Sequence, residues 1–144
     1  MSLTNPDKKM SKSDTNDKSR ILITDDSATI KKKVNKAITD SEDTITFEPE
    51  ARPGLSNLLQ ILYYAEGRTD SPAHLAKELE STSKKAVKER LSDAIDQLLK
   101  PVRERYSGLV HNDSYLDEVA QEGASKASQS AEQTMKLVRS AIGF

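Results

Sequence analysis

Apolar residues recur at helical spacing along most of this chain. In "SATIKKKVNKAI" (Ser27–Ile38), Ile30, Val34, Ala37 and Ile38 share one face, while Lys31, Lys32, Lys33 and Lys36 cover much of the rest. Asp26 or Ser27 supplies the side-chain cap such a helix needs. Leu55, Leu58, Leu59, Leu62 and Tyr63 predict a second, more apolar helix, with Gly67 as its C-terminal cap. Ser71–Pro72 marks the start of a short third helix through Leu75, Ala76 and Leu79, with serine as cap and proline at the first helical position. From Thr82 or Ser83 the longest pattern begins: Val87, Leu91, Ala94, Ile95, Leu98, Leu99, Val102, Tyr106 and Leu109. Pro101 lies inside it and predicts a kink or a break near Leu99–Lys100. "HND" (His111–Asp113) punctuates and caps a last helix, whose apolar face runs from Tyr115, Leu116 and Val119 to Val138 and Ile142. Its alanine bias predicts close helix packing, and Gly143 fits a terminal cap.

Three stretches break the helical pattern. Residues 1–20 are polar and predict a mobile loop. Arg20–Thr24 ("RILIT") is a short apolar run expected to be extended. Thr39–Gly54 reads as an acidic connector rich in turn formers. The pattern therefore predicts an all-α protein, a helical bundle of five or six helices behind a flexible front loop and a short extended segment. The division is expected near residue 25, with 1–25 forming the loop region and 26–144 the helical domain.

Composition narrows the chemistry. The 144 residues are 35% hydrophobic and 31% charged, with only 4% aromatic and no Trp, so Leu, Ile, Val and Ala must fill a thin core. There is no Cys, which removes disulfides, thiolate catalysis and cysteine-based zinc sites. A net charge of −1 makes a globally basic nucleic-acid binder unlike this chain, though local basic faces are compatible with it. No apolar run approaches the roughly 18 residues of a membrane span. His74 and His111 lie far apart and outside any HExxH-type pair, so no metal site is expected. GxSxG, GxxxxGK[ST] and GxGxxG are absent too. What remains is "KMSKS", Lys9 to Ser13. Two ammonium groups there can lie along a polyphosphate while serine hydroxyls and loop amides donate hydrogen bonds. The same letters are also compatible with a polar tail that binds nothing.

"KMSKS" is similar to the second signature of class I aminoacyl-tRNA synthetases, and the blocks around it agree. "MSLTNPDKKMSKSD", "ITDSEDTITFEPEARPGLSNLLQIL", "LLKPVRERY" and the C-terminal "LDEVAQEGASKASQSAEQTMKLVRSAIGF" resemble the tryptophanyl-tRNA synthetases of bacterial or organellar type. The "TDSE" and "PGLSNLL" blocks favour these over the tyrosine enzymes. The family's nucleotide-binding α/β domain, with its HIGH-type signature, has no counterpart here. The resemblance therefore implies the C-terminal portion of a longer synthetase, inactive alone; a free-standing helical module that binds RNA or protein is the alternative. For the full-length enzyme it implies ATP with Mg2+ and tryptophan as substrates, tRNA(Trp) as partner and a homodimer, in the bacterial cytoplasm or the mitochondrial matrix and with no membrane. This portion alone is expected to be mainly monomeric. By resemblance Lys9 and Lys12 are the catalytic pair, and Lys9, Met10, Ser11, Lys12 and Ser13 contact ATP, Met10 by anchoring the loop. The helices would read the CCA anticodon, with Lys33, Lys36, Asp40, Asp43, Arg52, Lys84, Lys85 and Lys88 as candidate contacts.

Overall fold

A computed structural model describes residues 1–143. Among the described residues there are five α-helices and no strand: α1 (Ser27–Asn35), α2 (Pro53–Ala65), α3 (Pro72–Glu78), α4 (Lys84–Leu109) and α5 (Asp113–Ile142). A single 3-10 turn spans Asp17–Ser19. The chain divides into two compact units, Met1–Arg103 and Glu104–Phe144, and the boundary falls within α4.

The cap chemistry sets the helix starts. The Asp26 carboxylate accepts from the Thr29 N–H at 2.8 Å at the head of α1. Ser71 Oγ accepts from the His74 N–H (3.2 Å) ahead of Pro72, Ser83 Oγ from Ala86 N–H (3.1 Å), and Asn112 Oδ1 from Tyr115 N–H (3.2 Å). Each satisfies one of the amide groups that the first helical turn leaves without an intrahelical partner. Gly67 and Gly143 close α2 and α5 at φ 63° and 84°, in the left-handed region where a side chain is strained.

In the first unit α2 packs against α3. The core gathers Ile30 and Val34 of α1, Leu55, Leu58, Leu59 and Leu62 of α2, Leu75, Ala76 and Leu79 around α3, and Val87, Leu91 and Ile95 of α4. Two members come from stretches that the hydrophobic pattern left as loops. Leu3 and Ile45 are each only 1% exposed. An isolated apolar residue between polar neighbours has no periodicity, so only tertiary packing reveals its burial.

Three expectations are corrected here. Arg20–Thr24 is extended at Arg20 (φ −140°, ψ 158°) but not throughout: the Asp25 carboxylate accepts from the Leu22 N–H at 2.8 Å, and Asp25 N–H donates to the Leu22 carbonyl, which turns the chain. Of the kink or break expected at Pro101, the break does not occur: α4 continues eight residues beyond it to Leu109. A proline at that exposed position removes one hydrogen bond without removing the helix around it. Finally, the close packing expected of the alanine-rich α5 is not seen: α5 has no buried residue.

Candidate functional site

The polar front of the chain is a loop with a built neck. Leu3 N–H donates to the Ser19 carbonyl (2.9 Å), and the Leu3 carbonyl accepts from Ile38 N–H (2.9 Å). Buried Leu3 thus bridges both ends of residues 4–18 and the end of α1. The buried Asn57 of α2 grips the same neck: its Oδ1 accepts from the Met1 ammonium at 3.0 Å, and its Nδ2 donates to the carbonyls of Met1 and Ser2 at 3.3 and 3.4 Å. Within the loop, Arg20 donates to the Asp14 carbonyl and the Asp17 carboxylate, both at 2.7 Å. Ser11 Oγ and Ser13 Oγ lie 3.0 Å apart and Ser11 Oγ also accepts from Ser13 N–H (3.3 Å).

On this frame Lys8, Lys9, Lys12, Ser11 and Ser13 are exposed, while Met10 is half-buried against the core. Met10 lines an open apolar groove of about 370 Å³ with Ile21, Ile61, Ile95 and Leu99. The loop therefore has one greasy foot and a polar crown. Such an arrangement presents cations and hydroxyls to solvent while limiting where they can travel.

The acidic connector is organised by one cation. Arg52 is 4% exposed, and its guanidinium donates to the Asp40 carboxylate at 3.0 and 2.7 Å. It also donates to the carbonyls of Thr44 (2.9 Å) and Glu42 (3.1 Å) and to Thr46 Oγ1 (2.8 Å). These bonds hold the Asp40 carboxyl below its ordinary range and push the guanidinium further toward its charged form. The rest of the "RPGLSN" block is equally structural. Pro53 opens α2. A Cβ on Gly54 would lie 2.5 Å from the Ile38 carbonyl oxygen. Ser56 Oγ accepts from Glu48 N–H at 3.0 Å.

The candidate anticodon contacts fall into two groups. Lys33 is buried in a 2.5 Å ion pair with Asp25. Arg52 and Asp40 hold each other. Lys84 Nζ donates to the Asp40 carbonyl (2.7 Å), and Lys88 Nζ donates to the carbonyls of Asn35 (3.2 Å) and Ala37 (2.9 Å), satisfying acceptors exposed by the end of α1. Burial, with a smaller push from Lys84, makes the Lys88 ammonium easier to deprotonate. Lys36, Asp43 and Lys85 face solvent and make no ion pair among the described residues. The structure also brings in Lys18 and Lys32, which the candidates did not include. Lys32 shares a face with Lys36 at i,i+4 and was visible in the spacing. Lys18 joins them only through the backbone bridge at Leu3.

Asp70, His74 and Glu78 converge at the surface of α3, with ligand-type atoms within 4.8 Å of one another. Arg68 already occupies that convergence, donating to Asp70 (2.9 and 2.7 Å) and Glu78 (2.9 and 2.6 Å). Its hydrogen bonds hold both carboxyls below their ordinary range. The cluster reads as an ion-pair network closing the α2–α3 turn.

Residues 1–100 match the family profile described as tRNA synthetases class I (W and Y). The chain is 41% identical over all 144 residues to a protein named tryptophan–tRNA ligase in Oceanobacillus iheyensis, and 38% identical to one of the same name in Bacillus subtilis. Each alignment takes in 100% of this chain and 43% of the relative. The crystal structure of a tryptophanyl-tRNA synthetase from Mycoplasma pneumoniae superposes with a TM-score of 0.79 at 26% identity, over 100% of this chain and 45% of that one. The chain thus spans less than half the length of these relatives.

Proposed function

The chain belongs to the class I tRNA synthetases of the tryptophan and tyrosine type, and on that premise we propose that it supplies the lysine–serine loop and the tRNA-binding helices of a tryptophan–tRNA ligase. Residues 1–25 then belong to the edge of the catalytic domain, and 26–144 to the anticodon-binding domain. The carrying observation is the join between the two most family-like blocks. Asn57 of "RPGLSNLL" holds the neck of the loop that presents "KMSKS".

In the first half-reaction the tryptophan carboxylate attacks the α-phosphorus of MgATP. The bond to the bridging oxygen breaks, and negative charge grows on the departing pyrophosphate. Ammonium groups aimed at that charge bind the transition state more tightly than the ground state. Lys9 and Lys12 take this role, Lys12 foremost, with Ser11 and Ser13 donating hydroxyl hydrogen bonds and Met10 seating the loop. In the second half-reaction the activated amino acid passes to the 3′ end of tRNA(Trp). Lys36, Asp43 and Lys85 are the candidate side chains for direct RNA contact, while Lys33, Asp40, Arg52, Lys84 and Lys88 keep that surface in shape. On this reading the complete enzyme is a homodimer and works in the bacterial cytoplasm or the mitochondrial matrix; the bacterial origin of the relatives supports the first location.

Two measurements test the reading. The 144-residue chain alone is expected to show no tryptophan-dependent ATP–pyrophosphate exchange, and robust exchange would overturn its assignment as an incomplete catalyst. Fused behind the remaining part of the O. iheyensis relative, it is expected to restore exchange. Lys12→Ala should then slow adenylate formation by about 100-fold or more with little change in tryptophan KM. An equal loss in both parameters would remove the transition-state role. For the helices, tRNA with a CCA anticodon should bind the chain about tenfold more tightly than the same tRNA with an altered anticodon, a difference of about 1.4 kcal/mol.

A further inference from the structure

We propose that Lys18, Lys32 and Lys36 form one surface that binds the phosphodiester backbone of RNA, irrespective of its base sequence. The inference rests on the tRNA-binding reading above but concerns a different task, since anticodon discrimination needs base contacts and this surface offers none.

Lys32 and Lys36 stand one helical turn apart on α1, so their side chains share a face. Lys18 comes from the far end of the front loop. Leu3 bridges the two: its N–H bonds Ser19 and its carbonyl bonds Ile38, which seats the 3-10 turn carrying Lys18 beside the end of α1. Repulsion from Lys18 first, then desolvation, then repulsion from Lys32 makes the Lys36 ammonium easier to deprotonate.

This crowding is left without a counter-charge. All three lysines are exposed, and none makes an ion pair among the described residues. The acids nearest in sequence are engaged elsewhere: Asp26 caps α1 and Asp40 pairs with Arg52. Asp17 pairs with Arg20 (2.7 Å) and Asp25 with Lys33 (2.5 Å). Elsewhere in the fold five arginines do have carboxylate partners: Arg20, Arg52, Arg68, Arg90 and Arg103. Like charges one turn apart cost a few tenths of a kcal/mol, so an unneutralised trio is a small standing cost that an external anion reverses. Ammonium groups are compact point charges suited to phosphate oxygens. Contributed by two separate segments, they form a patch rather than a pocket, which matches a chain of phosphates better than a single one.

The test measures binding of an unmodified tRNA to the intact 144-residue chain as salt is raised, for the wild type, for Lys18→Gln/Lys32→Gln/Lys36→Gln, and for Lys77→Gln as an exposed lysine outside the patch. Each lost phosphate contact should reduce the slope of log K against log salt by about 0.7–0.9. The triple variant is therefore expected to lose about two units of slope and at least tenfold in affinity at low salt. The loss should be equal for tRNAs with matched and altered anticodons, with thermal stability unchanged or raised and Lys77→Gln without effect. Unchanged affinity and slope in the triple variant would overturn this inference and leave the anticodon reading to Asp43 and Lys85. Loss confined to the matched anticodon would convert the lysines into base readers and overturn it too. Sodium tripolyphosphate provides the second arm. If the triple substitution abolishes tripolyphosphate binding but spares tRNA, the patch is a polyphosphate site and the RNA assignment fails. No binding of any tRNA by the wild type would overturn both readings.

Discussion

At the scale of single residues, the "RPGLSN" block shows how a family-like string becomes a set of separate physical jobs. Gly54 is required because any Cβ meets the backbone oxygen of Ile38 at 2.5 Å, and a backbone carbonyl cannot swing aside like a side chain. Gly54→Ala is therefore expected to destabilise the chain by about 1–3 kcal/mol, read as a lowered urea midpoint, despite the helix propensity it gains. A midpoint equal to wild type would show that α1 and α2 can separate slightly without penalty. Asp40 offers a pH-dependent test. Its carboxyl is held below the ordinary value of 3.8 by its bonds to Arg52, so at intermediate acidity the unfolded chain binds a proton that the folded one refuses. The stability it contributes is complete above about pH 4 and is lost as pH falls through the lower folded value. The gap in urea midpoint between wild type and Asp40→Asn should accordingly be largest near neutrality and close below pH 4. A pH-independent gap would mean that hydrogen-bond shape, not charge, is what Arg52 needs. The glycine and arginine were visible in the sequence as a turn and a charge. Their reasons were not, because Ile38 and Thr44 become their neighbours only after folding.

At the scale of elements, periodicity and caps were read nearly to the residue. Asp26, Ser71, Ser83 and Asn112 act as caps through bonds to amides three residues on, a local interaction that the sequence contains in full. Long-range roles were opaque. Lys84 and Lys88 had the spacing of a solvated face, yet Lys88 closes the Ala37 carbonyl just past α1 from 51 residues away, and Lys84 bonds the Asp40 carbonyl from 44 residues away. The last helix gives the opposite lesson: α5 has a well-formed apolar stripe, including Leu116, Val119, Val138 and Ile142, but buries none of it. Helices derive most of their stability from packing one face, so a 30-residue helix without burial should open easily. Amide hydrogen exchange is expected to be at least 100-fold faster across Asp113–Ile142 than across the core-lining turns of α2. Comparable protection in the two would show that α5 is held by contacts absent from this chain's own structure.

At the scale of the whole molecule, function depends on two regions with different demands. On the proposed function the loop offers cations to a polyphosphate, from a neck pinned by Asn57 and with Met10 seated against the core. On the same reading the helices present a locally basic surface to RNA, shaped by the buried Lys33–Asp25 pair and the partly buried Arg52–Asp40 pair. A chain with net charge −1 can do this only by sorting its charges, pairing some and leaving local groups of lysines bare. By itself the sequence determined the helical class, the cap positions, the apolar faces and the family, because each rests on neighbours within a turn or on an ordered string of residues. Tertiary structure alone decided which lysines are buried, which close a helix end and which stand free. An ammonium costs free energy to bury unless a partner meets it, and those partners arrive from segments eight to fifty-three residues away.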